Sequence, residues 1–233
     1  MKCDIIIPAA GVGNRFWPYT KTIAKELLPF ITKPAIQYAL EECIQISDRC
    51  IVVAHKSKTS LIDYLEGVRI YEPLFKTFRP DIVYQESAKG LGHAILCAEP
   101  LINDSYFGVM LPDDIIISNR PALDQLLDIA LSQKATVIAV QEVSQSMVSA
   151  YGIIQVKQQI SDTIFHVSSL VEKPSPARAP SRLAIVGRYI ISSKIFPLLN
   201  QARPSVVQEI QLTDALQELL AQGEPVIAVK VEG

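Results

Sequence analysis

The sequence has little cysteine, no excess of either charge and no long apolar run. Its four cysteines form no C-x-x-C pair and are too thinly spread for the disulfide framework of a small secreted protein. The 22 Lys and Arg residues stand against 24 Asp and Glu, without the basic excess typical of nucleic-acid-binding proteins. No apolar run approaches about 18 residues, the length of a membrane-spanning helix. We therefore expect a cytoplasmic protein with reduced thiols that binds neither nucleic acid nor membrane.

Over the first 150 residues, apolar runs rich in β-branched residues alternate with helical patterns. Strands that are apolar on both faces, separated by helices, indicate a parallel sheet covered on both sides. The predicted strands are residues 3–8, 50–54, 81–84, 106–111 and 135–140. The predicted helices are residues 35–46, 59–66 and 91–98.

Beyond residue 150, strand patterns follow one another with little helix between them. The predicted strands are residues 152–156, 164–171, 184–191 and 225–231, and the predicted helices are 194–200 and 209–221. No internal repeat or low-complexity linker divides the chain. We expect one α/β domain over residues 1–233, doubly wound and Rossmann-like, with a mixed, mostly parallel central sheet.

A glycine-containing loop, Pro8-Ala9-Ala10-Gly11-Val12-Gly13-Asn14-Arg15-Phe16, follows the first predicted strand. Gly11 and Gly13 allow the backbone to approach a ligand, with its N–H groups turned inward as in an anion nest. Arg15 and Lys25 add positive charge nearby, and ligands of open α/β sheets bind at the carboxyl ends of the strands. The loop therefore predicts a polyphosphate site.

Three other interpretations of this loop compete with the polyphosphate site. A dinucleotide-binding G-x-G-x-x-G loop needs a third glycine, and Phe16 stands in that position. A Walker A loop needs G-x-x-x-x-G-K-[ST], which is absent. The last alternative is a tight turn that binds nothing. The three histidines form neither a metal-ligand spacing nor a Ser-His-Asp arrangement.

The loop and its continuation, Lys25-Glu26-Leu27-Leu28-Pro29, resemble the signature of sugar-1-phosphate nucleotidylyltransferases, above all the bacterial members that use UTP and glucose 1-phosphate. Seven further segments match the family in the same order. They are Lys33-Pro34-Ala35-Ile36-Gln37-Tyr38, Gly90-Leu91-Gly92-His93-Ala94, Leu111-Pro112-Asp113, Tyr151-Gly152, Val171-Glu172-Lys173-Pro174, Ala184-Ile185-Val186-Gly187-Arg188-Tyr189 and Glu209-Ile210-Gln211-Leu212-Thr213-Asp214-Ala215.

The resemblance implies an enzyme that joins UTP and glucose 1-phosphate into UDP-glucose and pyrophosphate, with Mg²⁺ as cofactor. It also implies a nucleotidyltransferase fold, a nucleotide-binding half over residues 1–150, a sugar-binding half over residues 151–233, and homo-oligomers. Both substrates are anions, so positive side chains and a divalent cation are needed to bring them together.

On the nucleotide side, the resemblance makes Arg15 and Lys25 the catalytic cations that hold the triphosphate. Gln85 and Gly90 resemble the base-reading pair, since a side-chain amide offers both a donor and an acceptor to a pyrimidine. A glycine at position 90 would let the ring approach closely. The loop residues expected to contact the nucleotide through their backbone are Ala9, Ala10, Gly11 and Gly13.

Asp113, at the end of a buried strand, matches the family aspartate that is both catalytic and the Mg²⁺ ligand. Glu172 and Lys173 match the residues that bind the sugar hydroxyls and the sugar phosphate, and Gly152 would leave room for the sugar ring. Neighbouring residues of a strand point to opposite faces, so we expect a bend before Pro174 that lets both side chains reach one ligand.

The sequence departs from the family pattern in three places. Asn14 replaces the usual Thr, and residues 205–208 replace a glycine-rich stretch, which predicts an altered sugar-side loop. The sequence stops at Gly233, before the family's D-[CT]-G motif, whose Asp is a second metal ligand, and before helices that commonly mediate oligomerisation. Without that motif, Mg²⁺ would depend more on phosphates and water.

Three alternatives remain beside the uridylyl transfer. One is a relative that uses dTTP or another sugar 1-phosphate. Another is a catalytically weak or silent protein that only binds nucleotide sugars. A dehydrogenase is the third alternative, and NADH binding would reveal it.

Overall fold

A computed structural model describes residues 2–202 and 209–233, and these contain eleven strands and six α-helices. The strands are β1 (Ile5–Pro8), β2 (Pro29–Phe30), β3 (Lys33–Pro34), β4 (Cys50–Ala54), β5 (Asp81–Tyr84), β6 (Tyr106–Met110), β7 (Thr136–Glu142), β8 (Gly152–Gln159), β9 (Ile164–Glu172), β10 (Leu183–Ser192) and β11 (Val226–Lys230). The helices are α1 (Ala35–Ile46), α2 (Thr59–Tyr71), α3 (Leu91–Ala98), α4 (Ala122–Gln133), α5 (Ile195–Gln201) and α6 (Leu212–Ala221).

Nine of the described strands form a single sheet in the order β5-β4-β1-β6-β10-β7-β11-β9-β8. β1, β4, β5 and β6 are parallel to one another, and β7 is parallel to β11. β10 is antiparallel to β6 and β7, and β9 is antiparallel to β8 and β11. The predicted mixed sheet is therefore confirmed: seven of the nine strands run in the same direction, although only four of the eight neighbouring pairs are parallel. The short strands β2 and β3 pair separately as a hairpin.

Helices cover both faces of this sheet because side chains alternate along each buried strand. In β1, Ile5 and Ile7 pack in a cluster with apolar residues of α1, α2 and α4. Ile6 lies between them and packs on the opposite face with residues of α3, α5 and α6. This is the predicted doubly wound arrangement, and the carboxyl ends of β1, β5 and β6 meet at one edge of the sheet.

The predicted bounds of α1, α3, β4 and β5 agree with the structure. The helix predicted to end at residue 66 continues to Tyr71 as α2. The helix α4 has no counterpart among the predicted elements, although its buried leucines, Leu123, Leu126 and Leu127, lie at helical spacing. The hydrophobic periodicity of the sequence thus located most elements. It is also present in α4, but that helix was not predicted.

Strands from both predicted halves of the chain belong to the same sheet. β7, which comes before residue 150, pairs with β10 and β11, which come after it. The division at residue 150 is therefore not a boundary between layers of the described structure, and its functional meaning stays a prediction. The predicted effect of residues 205–208 on the sugar-side loop concerns residues outside the described ranges.

The structure also bears on the expectations drawn from composition. All four cysteines are free, and Cys3, Cys43 and Cys50 are buried. Within the described residues, no helix is both long enough and apolar enough to cross a membrane.

The strand β10 is irregular near its middle. Ile185 and Tyr189 pair with Val140 and Ile138 of β7, so four steps along β10 match two steps along β7. Such a bulge bends a strand and redirects its side chains, and bulges are frequent beside functional sites. The residues of β10 inside this bulge contact the loop that follows β6.

Candidate functional site

A cleft of about 360 Å³ lies at the carboxyl ends of β1, β5 and β6. It is the place where ligands of open α/β sheets bind. The predicted site residues that line it are Ala10, Gly11, Arg15, Lys25, Gln85, Gly90 and Asp113. The structure thus brings together the two predicted cations, the predicted base-reading pair and the predicted metal ligand. Glu209, which had no predicted role, also lines the cleft.

The loop between β1 and β2 contains three short 3₁₀ turns, Asn14–Phe16, Tyr19–Lys21 and Lys25–Leu27. Gly13, before the first turn, has a φ of +72°, in the left-handed region that favours glycine. A Cβ at this position would lie 2.9 Å from Cγ2 of Thr20, whose hydroxyl donates to the Gly13 carbonyl at 3.0 Å. Gly13 is therefore needed to close the loop, and it lines a small adjoining pocket of about 260 Å³.

Ala9 lies beneath the loop with its backbone groups bonded within the protein, and its predicted contact with the nucleotide stays a prediction. Its N–H donates to the carbonyl of Val53 at 2.7 Å, and its carbonyl accepts from Nζ of Lys58 at 2.8 Å. The side chain is fully buried. Because the N–H already extends the pairing of β1 with β4, it is not available to a phosphate.

Lys58 and Glu26 form a buried ion pair beneath the same loop. Nζ of Lys58 lies 2.8 Å from Oε2 of Glu26, and the two side chains are 11% and 0% exposed. Burial lowers the pKa of Lys58, and the neighbouring Glu26 partly opposes that shift. Since the ammonium also binds the carbonyl of Ala9, it ties the turn at Lys25–Leu27 to the end of β1.

Lys25 and Asp113 meet inside the cleft. Nζ of Lys25 lies 2.7 Å from Oδ2 of Asp113, whose side chain is 47% exposed. Arg15 is exposed at the same cleft and forms no ion pair with any other described residue. An entering triphosphate would therefore face two cations and one accessible carboxylate.

Asp114, next in the chain, does not line the cleft. Its carboxylate accepts a hydrogen bond from the N–H of Gly187 at 2.9 Å. Burial raises the pKa of Asp114, and the adjacent Asp113 adds to that shift. A Cβ at Gly187 would lie 2.5 Å from this carboxylate, so only glycine allows the contact. Asp114 therefore anchors the loop that carries Asp113.

Arg188 and Glu42 hold this loop from the other side. Nη2 of Arg188 lies 2.8 Å from Oε2 of Glu42, and the side chains are 2% and 11% exposed. Nη1 of Arg188 donates to the carbonyls of Leu111 and Asp114 at 3.1 and 2.8 Å. One buried guanidinium thus fixes both ends of the segment that contains Asp113.

Gln85 lies just after β5 and is 3% exposed. Its Nε2 donates to the carbonyl of Gly90 at 3.1 Å and lies 2.9 Å from Nδ1 of His93. A Cβ on Gly90 would lie 2.8 Å from both Cβ of Glu209 and the carbonyl oxygen of Ile210. Close packing against that segment therefore requires the glycine, and its predicted role in letting the base approach stays a prediction.

Gly152, Glu172 and Lys173 form a second cluster, as predicted from the sequence. Gly152 is opposite Glu172 in the pairing of β8 with β9. Thr213 donates from Oγ1 to Oε2 of Glu172 at 2.7 Å, and Nζ of Lys173 lies 3.3 Å from Oε1 of Glu172. Lys173 has a φ of +43°, so the expected bend before Pro174 is present and brings the two neighbouring side chains together.

The strand β10 connects this second cluster to the cleft. A Cβ on Gly152 would lie 3.1 Å from Cδ1 of Ile185. Two residues further along β10, the N–H of Gly187 donates a hydrogen bond to the loop that carries Asp113. Two residues span roughly 7 Å along a strand. The second cluster and the loop that carries Asp113 therefore contact neighbouring residues of the same strand.

Asp113 is suited to a metal that arrives with a substrate. Within the described residues, no group of three or more His, Cys, Asp or Glu side chains converges on a metal position. Mg²⁺ commonly takes one or two carboxylates and completes its coordination with substrate phosphates and water. The half-exposed carboxylate of Asp113, beside two cations that attract phosphate, fits that type of donor set.

Four residues that position the site, two of them buried and two partly buried, had no predicted role. Glu26 and Arg188 belong to segments that resemble the family. The resemblance indicates that these segments matter, but it does not indicate what the two side chains contact. Lys58 and Glu42 belong to no such segment. Their ion-pair partners lie 32 and 146 residues away in the chain, so nothing local could have revealed them.

Comparison with known proteins connects this geometry with characterised families. A family model described as nucleotidyl transferase matches residues 4–233. UTP–glucose-1-phosphate uridylyltransferase YngB of Bacillus subtilis is 39% identical over 98% of this chain and 82% of that relative. A UTP–glucose-1-phosphate uridylyltransferase of Pseudomonas aeruginosa is 40% identical over an alignment that covers 100% of this chain and 88% of that relative. A crystal structure of UDP-glucose pyrophosphorylase complexed with UDP-glucose has a TM-score of 0.92 and 36% identity, covering 100% of this chain and 92% of that one.

Proposed function

The chain belongs to the nucleotidyl transferase family, and from this we propose that it transfers the uridylyl group of UTP to glucose 1-phosphate. The products are UDP-glucose and pyrophosphate. The observation that carries the proposal is the cleft in which Arg15, Lys25 and Asp113 meet beside Gln85. Relatives that resemble this chain over almost its whole length are named for the same reaction.

The reaction must bring together two phosphate esters that repel each other. In the proposal, the phosphate oxygen of the sugar attacks the α-phosphorus of UTP, and the bond to pyrophosphate breaks. Arg15 and Lys25 hold the triphosphate and stabilise the charge that accumulates on the departing pyrophosphate. The N–H groups of Ala10 and Gly11 add hydrogen-bond donors at the same place. An ionised phosphate needs no general base to attack.

Enzymes of this kind generally use a divalent metal, and we propose Mg²⁺ held by Asp113. When bound, the ion supplies positive charge at the α-phosphate, where negative charge grows during the displacement. Asp113 would hold the ion, and its ion pair with Lys25 would then give way to a contact between Lys25 and the triphosphate. Asp114 keeps the loop in place throughout, because its own carboxylate is bonded to Gly187.

The second cluster supplies the sugar side of the proposed site. Glu172 accepts hydrogen bonds from sugar hydroxyls, with one oxygen already oriented by Thr213. Lys173 binds the sugar phosphate at the exposed end of its side chain. Gly152 leaves space beside Glu172, since a Cβ there would lie 3.2 Å from its carboxylate.

Replacement of Lys173 by alanine should raise KM for glucose 1-phosphate roughly 10–100-fold, because one charged hydrogen bond to the phosphate is lost. KM for UTP should change little. Steady-state kinetics with each substrate varied in turn measures both values. The control is Lys157→Ala, which removes another exposed lysine, on β8. Equal losses for both substrates would contradict the assignment of Lys173 to the sugar phosphate.

The activity itself is tested by mixing the protein with UTP, glucose 1-phosphate and Mg²⁺ and measuring pyrophosphate release. We expect release well above a control without protein, and less with dTTP or other sugar phosphates. Thermal stabilisation by UDP-glucose without any release would instead indicate a protein that only binds nucleotide sugars. Release with dTTP but not with UTP would identify a thymidylyl transferase.

A cytoplasmic location and self-association complete the proposal. The four free cysteines support the location, since thiols stay reduced in the cytosol. Light scattering on the purified protein measures the number of subunits.

A further inference from the structure

The amide of Gln85 is held in one orientation by two neighbours. Its nitrogen is 3.1 Å from the carbonyl oxygen of Gly90 and 2.9 Å from Nδ1 of His93. A carbonyl oxygen only accepts hydrogen bonds, so the amide atom facing Gly90 must be the nitrogen. A flipped amide would place its oxygen against that carbonyl and would also lose the contact of its nitrogen with His93, so each neighbour adds to the preference for one orientation.

The same geometry defines the state of His93. The amide nitrogen only donates, so Nδ1 of His93 must accept, and the proton of the neutral ring is on Nε2. Burial lowers the pKa of His93, and the charge of nearby Lys89 lowers it further, so both favour the neutral ring that this geometry requires. The other group close to Nδ1 is the thiol of Cys97, with its sulfur 3.7 Å away.

Both N–H groups of the Gln85 amide are therefore used within the protein. No hydrogen bond within residues 2–202 and 209–233 has the oxygen Oε1 of Gln85 as its acceptor, although the side chain is 3% exposed and lines the cleft. An amide that could in principle offer a donor or an acceptor thus offers only an acceptor to a ligand.

An acceptor at this point distinguishes pyrimidines by their N3 atom. Uracil and thymine carry a hydrogen on N3 and can donate it to Oε1. Cytosine has a lone pair at N3, which would face the oxygen of Gln85 without a hydrogen between them. A buried group that loses its partner in this way weakens binding more than a missing contact at the surface does.

We propose that His93 is a positioning residue that holds the amide of Gln85 with its oxygen towards the base and so selects uridine over cytidine nucleotides. The inference rests on the proposed function only in placing the base beside Gln85. It goes beyond that function in assigning base selection to a side chain that does not touch the nucleotide.

The test compares two substitutions at His93 by the equilibrium dissociation constants of UTP and CTP, measured by calorimetry. The wild-type protein should bind UTP at least about tenfold more tightly than CTP. His93→Leu removes one of the two acceptors that hold the amide nitrogen, so turning the amide costs less and the ratio of the two constants should fall severalfold. His93→Asn places an amide oxygen close to the former position of Nδ1, and it should keep most of the preference.

If His93 had only a structural role, both variants would bind UTP and CTP more weakly by the same factor. An unchanged UTP to CTP ratio in a folded His93→Leu protein would overturn the inference, and so would a wild-type protein without any preference. The melting temperature of each variant shows whether it folds. If His93→Leu does not fold, the His93→Asn protein decides, and loss of the preference for UTP in that variant would overturn the inference. Binding needs no turnover, so a wild-type protein that prefers UTP but releases no pyrophosphate would contradict the proposed function alone.

Discussion

Replacement of Asp113 by alanine should lower kcat for UDP-glucose formation by about 10³-fold, the effect of removing a group that organises transition-state charge. Asp113 is the predicted metal ligand that lines the cleft, and its carboxylate is half exposed there. Asp114 cannot replace it, because its carboxylate is buried against the N–H of Gly187. The rate should also lose its dependence on Mg²⁺ concentration, as measured by pyrophosphate release in a magnesium titration.

Binding of UTP without metal separates this effect from a collapse of the site. Lys25 loses its partner at 2.7 Å when Asp113 is removed, so its charge becomes fully available to the triphosphate. Affinity for UTP in the presence of a chelator should therefore stay the same or increase. The control is Asp63→Ala, which removes an exposed carboxylate on α2. An Asp113→Ala protein that still responds to magnesium would remove Asp113 from the metal site.

Much of the fold was predictable because each buried strand is apolar on both faces. The run from Cys50 to Ala54 is fully buried, and its composition alone predicts a central strand. The position of β10 was not predictable in the same way. It comes late in the chain, yet it is inserted between β6 and β7, and its pairing depends on contacts that no local pattern encodes.

The candidate site shows the same division between local and distant information. Arg15 was predicted from its loop after the first strand, whereas Gln85 and Asp113 were predicted from the family resemblance. All three meet because the carboxyl ends of parallel strands converge. Ala9 was assigned to the nucleotide because it belongs to the same motif, yet its N–H completes the sheet. The sequence could not indicate which member of the motif faces the ligand and which faces the protein.

The sharpest example of distant information is the ion pair between Arg188 and Glu42, which are 146 residues apart. Both side chains are buried, and the guanidinium also binds the carbonyls of Leu111 and Asp114. A pair of this kind costs desolvation and is not by itself a source of stability. We infer that its value lies in fixing the segment that presents Asp113, which predicts that stability and activity respond differently to its removal.

Arg188→Met should destabilise the protein by about 3–5 kcal/mol, because it leaves the negative charge of the Glu42 carboxylate largely buried without a cation. The melting temperature should fall by on the order of 10 °C. The double variant Arg188→Met/Glu42→Gln removes that charge. Its new amide oxygen can still accept the hydrogen bond that the N–H of Leu123 donates to Glu42 in the wild-type protein. It should regain most of the lost stability but little of the turnover, since the carbonyls of Leu111 and Asp114 still lack their donor. If turnover returned together with stability, the pair would support the fold alone, and the position of Asp113 would have to be secured by Asp114 and Gly187.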